Sequence, residues 1–146
     1  MNRKAFIKKI GSGCLGILSA GLVLNGCIGT RYVNGIIEGQ FLIINVDSFI
    51  KANTKKTDIL KYIVVLHEDL QYPIVVYRHS ADKYQALLMR CTHQGTELQV
   101  FGNRLECPAH GSVFTNNGQV QNGPADTSLR SFSVKKEFEI LKIKLS

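Results

Sequence analysis

Two short clusters of cysteine and histidine constrain this chain more than any other feature of its 146 residues. The first is Cys91-Thr92-His93-Gln94-Gly95 and the second is Cys107-Pro108-Ala109-His110-Gly111-Ser112, with thirteen residues between His93 and Cys107. Each cluster offers one thiolate and one imidazole. This symmetry suits a centre of two iron atoms in which one iron takes both cysteines and the other takes both histidines. Between the clusters, residues 96–106 predict a hairpin that brings them together.

The two clusters are also compatible with three simpler roles. A Cys₂His₂ zinc site uses the same donors, but zinc fingers usually pair cysteine with cysteine and histidine with histidine along the chain. A disulfide between Cys91 and Cys107 is compatible with an exported chain, but it leaves both histidines without a role. In a degenerate site the cysteines act only as small, buried apolar side chains.

Short apolar runs separated by polar or glycine-rich breaks predict an all-β fold. The runs cover residues 41–46, 62–66, 74–77, 84–89 and 98–101, and two more strands are expected at the C-terminal end. They are rich in isoleucine, valine, tyrosine and phenylalanine, and no window shows a helical stripe over three turns. Gly102-Asn103 and Asn116-Asn117-Gly118 supply residues that tolerate positive φ, as tight hairpins require.

The last apolar run contains a change of phase. Leu141, Ile143 and Leu145 alternate with lysines, which predicts a half-buried antiparallel strand. Phe138 and Ile140 are in the opposite phase. Because a strand changes faces only where a residue is inserted, we expect a bulge or bend near Ile140 and Leu141.

The first thirty residues predict an export signal. Basic residues at positions 3, 4, 8 and 9 precede 21 uncharged residues over 10–30, and a basic start before an apolar stretch is typical of such signals. The stretch Leu24-Asn25-Gly26-Cys27 resembles the lipobox of bacterial lipoproteins, which implies lipidation of Cys27. The alternatives are an uncleaved transmembrane anchor, since such a run spans roughly 30 Å, and a plainly cleaved signal. The stretch 2–8 also resembles a twin-arginine export motif, with Lys4 in place of the second arginine.

The basic character of the whole chain does not predict a nucleic-acid partner. The formal net charge is +7, but four of the basic residues lie in the first nine positions, and the rest of the chain carries only +3. A surface with so small an excess lacks the basic patch that phosphate backbones select.

The paired motifs resemble those of the Rieske iron–sulfur family, over about residues 41–146. The resemblance implies an all-β, Rieske-type fold of small antiparallel sheets with a cluster-binding subdomain, and one [2Fe–2S] cluster per chain. It also implies the ligands: Cys91 and Cys107 on the inner iron, and His93 and His110 on the outer, solvent-facing iron.

The same resemblance implies a set of residues around the cluster. Gly95 and Gly111 follow the histidines, where the backbone passes close to the inorganic core. Ser112 matches a serine that donates to a cluster sulfur, and Pro124 belongs to a loop that covers the cluster and excludes water from it.

Three positions depart from the Rieske proteins of cytochrome bc complexes. Thr96 and Ala109 stand where those proteins have the two cysteines of a disulfide that clamps the loops. Phe114 stands where a tyrosine donates a second hydroxyl to a cluster sulfur. Because hydrogen bonds to sulfur raise the reduction potential, we expect a potential between the low and high ends of the family's range.

These features predict a one-electron carrier or redox subunit rather than a stand-alone enzyme. We expect residues 1–30 to be the leader or anchor, 31–39 a linker and 40–146 the Rieske domain, held outside the cytoplasm and tethered to a membrane. A redox partner protein is implied, such as a cytochrome or an oxidoreductase subunit, and quinol is a candidate donor because reduction favours protonation of the ligand histidines. The candidates are a subunit of a quinol-oxidising cytochrome complex, a small subunit of an exported oxidoreductase and, from another class, a structural zinc-binding module.

Overall fold

The computed structural model describes residues 29–51 and 58–146, which form strands and one 3₁₀ turn, Val46–Phe49. The strands are β1 (Tyr32–Asn34), β2 (Ile36–Glu38), β3 (Phe41–Asn45), β4 (Tyr62–Leu66), β5 (Ile74–Arg78), β6 (Tyr84–Leu88), β7 (Gln99–Phe101), β8 (Arg104–Glu106), β9 (Val113–Thr115), β10 (Val120–Asn122), β11 (Ser131–Phe132), β12 (Val134–Glu137) and β13 (Ile140–Lys144). The all-β prediction is confirmed. The prediction of lipidation at Cys27, like the leader as far as residue 28, falls outside the described residues. In the described ranges, no helix has the length and apolarity to cross a bilayer.

A five-stranded sheet forms the centre of the fold, in the order β1-β4-β5-β6-β11. β1 runs parallel to β4, and the other neighbours are antiparallel. The first four residues of β5 are all buried, because both faces of this sheet are covered. Val75 and Tyr77 belong to the core on one face, and Ile74 and Val76 belong to the core on the other.

A smaller sheet covers each face of the central sheet. The sheet β12-β13-β3-β2 contributes Leu42, Leu141 and Ile143 to one core. The sheet β10-β9-β8-β7 contributes Leu105 and Phe114 to the other core, which also contains the two motif cysteines. The β7–β8 and β9–β10 hairpins turn at the predicted glycine and asparagine positions. The segment between the two motifs is therefore a hairpin, as predicted.

The predicted linker over residues 31–39 is wrong. Tyr32–Asn34 forms β1 beside β4, and Ile36–Glu38 forms β2 beside β3, so this segment joins two of the sheets. Strands of three residues are too short for the alternation of apolar and polar side chains to be visible in the sequence. The folded domain accordingly begins before residue 40.

The predicted bulge near Ile140 and Leu141 is also wrong. Glu137 at the end of β12 pairs with Ile140 at the start of β13, so Phe138 and Glu139 form a two-residue hairpin turn. Phe138 has a positive φ of 54° in this turn. The change of phase therefore marks the passage from one strand to the next.

The two ends of the central sheet differ in what they carry. At the end where β4 finishes at Leu66, β6 leads through Arg90 into Cys91; we call this the motif end. At the opposite end β4 begins at Tyr62 and β5 finishes at Arg78. Gly29, the first described residue, lines a cleft at this opposite end together with the β7–β8 turn.

Candidate metal centre

The two motif loops, residues 91–96 and 107–112, have the same backbone hydrogen bonding. The N–H of Cys91 donates to the carbonyl of Thr96 at 2.8 Å, and the N–H of Cys107 donates to the carbonyl of Ser112 at 2.8 Å. Four residues after each cysteine, the glycine N–H donates back to the cysteine carbonyl, at 2.8 Å for Gly95 and 3.0 Å for Gly111. Both glycines have a φ of +78°, which strains any residue with a Cβ. The two motif loops therefore have the same backbone hydrogen bonds and the same glycine conformation.

The four motif side chains separate by type and by depth. Cys91 and Cys107 are buried, at 2% and 3% exposure. His93 and His110 are both exposed, and their ring centroids lie 5.1 Å apart with the ring planes at 89°. Both thiols are free, so the disulfide considered from the sequence is absent from this structure. The site therefore has an inner pair of sulfur donors and an outer pair of nitrogen donors.

The surroundings of Cys107 favour its thiolate. Burial alone raises the pKa of this thiol, but donors around its sulfur lower the pKa below its ordinary value. These donors are the backbone N–H groups of His110 and Ala109, followed by the side chains of Cys91 and Thr96. Since metals and iron–sulfur clusters bind the thiolate, the loop prepares Cys107 as a ligand.

A third loop, residues 123–130, is fastened to both motif loops. The fully buried Ser112 Oγ accepts the backbone N–H of Ala125 at 3.0 Å. On the other side, the Thr92 hydroxyl donates to the carbonyl of Thr127 at 2.6 Å. Pro124 follows a cis peptide bond at the exposed edge of this loop. These contacts place Pro124 and its neighbours beside both motif loops.

Two residues that support the first motif loop were not predicted from the sequence. Tyr72, just before β5, donates its hydroxyl to the carbonyl of Gly95 at 2.7 Å. The guanidinium of Arg90 lies 5.7 Å from the centroid of the Tyr72 ring. A Tyr-Pro pair before an apolar run is typical of an ordinary strand start, so the only available signal was that Arg90 directly precedes the motif.

The residues that depart from the bc-type pattern lie where the sequence predicted. Thr96 is five residues after Cys91 and Ala109 is two residues after Cys107, and neither can form the clamping disulfide. Phe114 on β9 is fully buried in the same core as Cys91 and Cys107. It offers no hydroxyl to the site.

The donor set fits a cluster of two irons. Two buried thiols and two exposed imidazoles, each pair drawn from both loops, provide two ligands for an inner and two for an outer metal atom. Among the described residues, no three side chains of His, Cys, Asp or Glu form a group that could hold a single metal ion. His67 and His79, outside the motifs, have no role in this arrangement.

A family model and two curated relatives match parts of this chain. The model of the Rieske [2Fe–2S] domain matches residues 52–133. The chain is 38% identical over 66 residues to the cytochrome b6-f complex iron–sulfur subunit of Cyanothece sp. (strain PCC 7425), covering 44% of this chain and 36% of that protein. The corresponding subunit of Desmonostoc sp. (strain PCC 7906) is 40% identical over 58 residues, which are 38% of this chain and 32% of that one. The match thus spans about a third of the length of these relatives.

Solved structures share the fold at low sequence identity. The cyanobacterial plasma membrane Rieske protein PetC3 of Synechocystis PCC 6803 aligns with a TM-score of 0.50 and 22% identity, over 57% of this chain and 86% of that one. A chain from the complex of oxygenase and ferredoxin in carbazole 1,9a-dioxygenase aligns with a TM-score of 0.53 and 22% identity, over 74% and 95% respectively.

Proposed function

This chain belongs to the Rieske [2Fe–2S] domain family, and from that premise we propose that it is a membrane-tethered, extracytoplasmic carrier that passes single electrons to or from a redox partner protein. The family's domain binds a [2Fe–2S] cluster, and the cluster supplies one-electron redox chemistry when it is bound. The proposed elements are the residues that hold the cluster, the location of the protein outside the cytoplasm and its redox partner.

We assign Cys91 and Cys107 to the inner iron and His93 and His110 to the outer iron. The observation that carries this assignment is the separation of the four side chains, with the thiols buried and the imidazoles exposed. The apolar core around Cys91 and Cys107 keeps water from the inner side of the site. The exposed imidazole edges are the point at which a partner protein can approach.

The exposed histidines also give the site a place to hold a proton. In a ligand histidine one ring nitrogen binds metal, and the other faces solvent where it can take up or release a proton. His93 and His110 are the motif side chains with this exposure. Uptake of an electron together with a proton suits a quinol donor as well as a protein donor.

The remaining residues position the loops and exclude water. Ser112 and Thr92 fasten loop 123–130 to the two motif loops, and Pro124 lies at the edge of that loop. The hydroxyl of Ser112 accepts from Ala125 and keeps its own hydrogen for donation towards the cluster. These contacts hold the loops together in place of a disulfide, which Thr96 and Ala109 cannot form.

The extracytoplasmic, tethered location is supported by the leader. The basic start, the uncharged run over 10–30 and the lipobox-like Leu24-Asn25-Gly26-Cys27 favour a lipid anchor on Cys27, with a transmembrane anchor as the second choice. The partner is a cytochrome or another redox subunit, because the curated relatives are subunits of cytochrome b6-f complexes. A small subunit of an exported oxidoreductase is the second candidate, favoured by Thr96 and Ala109 in place of the clamping cysteines.

Spectroscopy of the anaerobically purified full chain tests the function. We expect iron and acid-labile sulfide in equal amounts, a coloured protein and a paramagnetic signal after one-electron reduction. A colourless protein that contains zinc and gives no paramagnetic signal after reduction would contradict the proposal and favour the structural zinc-binding module.

Membrane attachment is tested separately by feeding cells a labelled fatty acid. The native chain should carry the label and fractionate with membranes, and Cys27→Ala should lose the label. If the native chain is never labelled and is recovered in the soluble fraction, the tether is wrong while the electron-transfer function stands.

A further inference from the structure

Exposed apolar side chains gather at the opposite end of the central sheet, away from the motif end. Six large apolar residues among those described are at least 40% exposed: Tyr32, Ile36, Ile59, Phe101, Phe138 and Ile140. Four of them lie at the opposite end, whereas Tyr32 pairs with Val64 in the middle of β4 and Ile36 is on the β2 edge strand. Ile59 leads into β4, and Phe101 precedes the β7–β8 turn. A concentration of this kind at one end of a soluble domain indicates an interaction surface.

The β12–β13 hairpin brings its tip to the same end. The N–H of Val46, the first residue after β3, donates to the carbonyl of Glu139 in the hairpin turn at 2.8 Å. Lys136 Nζ lies 3.0 Å from Asp82 Oδ1 in the turn between β5 and β6. These contacts fix the hairpin tip, with Phe138 and Ile140, at the opposite end of the central sheet.

Phe138 at the tip is both strained and exposed. It has a φ of +54° and is 94% exposed. A positive φ is a genuine outlier for a bulky residue, and glycine or asparagine adopts it at much lower cost. Because the ring packs against almost nothing within the domain, neither turn geometry nor core packing accounts for an aromatic residue here. A strained residue without a structural reason points to a contact outside the molecule.

Basic side chains line clefts at the same end. A cleft of about 360 Å³ is lined by Arg31, Lys51 and Lys61 as its charged residues, and an adjoining cleft adds Arg78 and His79. The acidic residues of this end are Asp47, Asp58, Asp82 and Glu139, and Asp82 is paired with Lys136. The charge balance is therefore weakly positive, and the apolar residues supply most of the attraction to a partner surface.

The chain also enters the domain here. Gly29, the first described residue and one of the last two of the uncharged run over residues 10–30, lines the basic cleft. We propose that the opposite end lies on a bilayer that contains anionic phospholipid, with Phe138 and Ile140 in the headgroup region and the basic side chains of the clefts on lipid phosphates. The inference rests on the membrane tether of the proposed function, which brings this end to the bilayer. Aromatic and aliphatic side chains flanked by lysine and arginine are the usual composition of an interfacial contact.

This orientation determines which partner the cluster can reach. The five-residue strands of the central sheet alone separate the two ends by about 17 Å. With the opposite end on the bilayer, His93 and His110 face the aqueous phase. Of the two kinds of donor that suit the exposed histidines, this orientation selects a protein whose electron-transfer site is in the aqueous phase, because a quinol held within the bilayer is out of reach.

The test uses a single tryptophan in the full, cluster-loaded chain, which has none of its own. Phe138→Trp places the reporter at the hairpin tip, and Gln71→Trp places a matched reporter at an exposed position of the motif end. Each variant is added to vesicles of phosphatidylcholine and phosphatidylglycerol, and emission is compared between ordinary and brominated lipid. This ratio cancels any quenching by the cluster itself. Ile140→Trp serves as a second tip reporter if the strained turn rejects tryptophan.

We expect the tip reporter to be blue-shifted and to lose roughly half of its emission in brominated lipid, with the Gln71→Trp reporter unchanged. The loss should be smaller on pure phosphatidylcholine and at high salt, because lipid phosphates attract the basic clefts. If the chain floats with the vesicles but the tip reporter is not quenched, the tether stands and the proposed orientation is wrong. Equal quenching of both reporters also overturns it. If the chain does not float at all, the tether itself has failed and the inference falls with it.

Discussion

Ser112→Ala tests the part of the centre in which stability and redox chemistry depend on one hydroxyl. Ser112 is fully buried, and its Oγ accepts the N–H of Ala125 at 3.0 Å. Alanine removes that acceptor and leaves a buried N–H without a partner, which costs about 1–3 kcal/mol. The substitution also removes the hydrogen that Ser112 can donate to a cluster sulfur.

The effect on the reduction potential follows from the strength of that second hydrogen bond. A hydrogen bond to a charged group contributes about 1.5–3 kcal/mol. For one electron this corresponds to a fall of at most roughly 60–130 mV in the midpoint potential, because the bond is strongest to the more negative, reduced state. Ser112→Cys keeps a weak donor and should give a smaller fall.

Redox titration and urea unfolding of the same samples measure the two effects separately. Ser133→Ala, at an exposed serine between β11 and β12, is the matched control and should change neither quantity. If Ser112→Ala keeps an intact cluster spectrum and an unchanged midpoint, Ser112 does not donate to the cluster. If the free energy of unfolding is also unchanged, the contact with Ala125 does not hold loop 123–130.

Three further predictions concern other residues. Phe114→Tyr adds a hydroxyl within the core that contains both motif cysteines, and we expect a midpoint higher by up to about 100 mV in a redox titration. His110→Cys, with His79→Cys as its control, should shift the visible and paramagnetic spectra towards those of an all-thiolate cluster. The pKa of Glu137 is lowered by Lys142 and Lys135, so its stabilising contribution is complete above the ordinary carboxyl pKa and is lost as the pH falls through the lowered value. The difference in melting temperature between the native chain and Glu137→Gln should therefore close between about pH 7 and pH 3.

Each of these predictions has a contrary result. A midpoint potential that falls or stays constant in Phe114→Tyr would mean that the added hydroxyl does not donate a hydrogen bond to the cluster. An unaltered spectrum in His110→Cys would remove His110 from the ligand set. For Glu137→Gln, a difference in melting temperature that widens in acid would contradict the pairing with Lys142, whose Nζ lies 2.6 Å from the carboxylate.

Local chemistry made much of the candidate centre predictable from the sequence. Gly95 and Gly111 fit their positive φ, and the turn residues at 102–103 and 116–118 form hairpins where expected. The burial of Cys91 and Cys107 and the exposure of His93 and His110 follow the expectation of an inner and an outer pair. These features depend on residues close to one another in the chain.

What the sequence did not predict depends on how the sheets pack. Thr92 reaches the carbonyl of Thr127 across 35 positions, and Tyr72 reaches Gly95 across 23. Neither pair has a spacing rule, because the distance along the chain has no relation to the distance across a packed core. β1 and β2 were missed for another reason, since strands of three residues are stabilised by their neighbours rather than by their own pattern.

The matching positions of Gly95 and Gly111 in the two motif loops separate two effects of replacing a glycine. One is the backbone cost of a positive φ, and the other is the crowding of the added Cβ. Both positions have the same φ, so a methyl group imposes the same backbone cost on each. A Cβ at Gly95 would lie 3.2 Å from Arg90 Nε, whereas a Cβ at Gly111 would meet nothing within 4 Å. The difference between the two alanine variants therefore reports the crowding of Arg90 together with the contact to the Tyr72 hydroxyl at 3.6 Å. Because the two motif loops have the same backbone geometry, each loop serves as a reference for substitutions in the other.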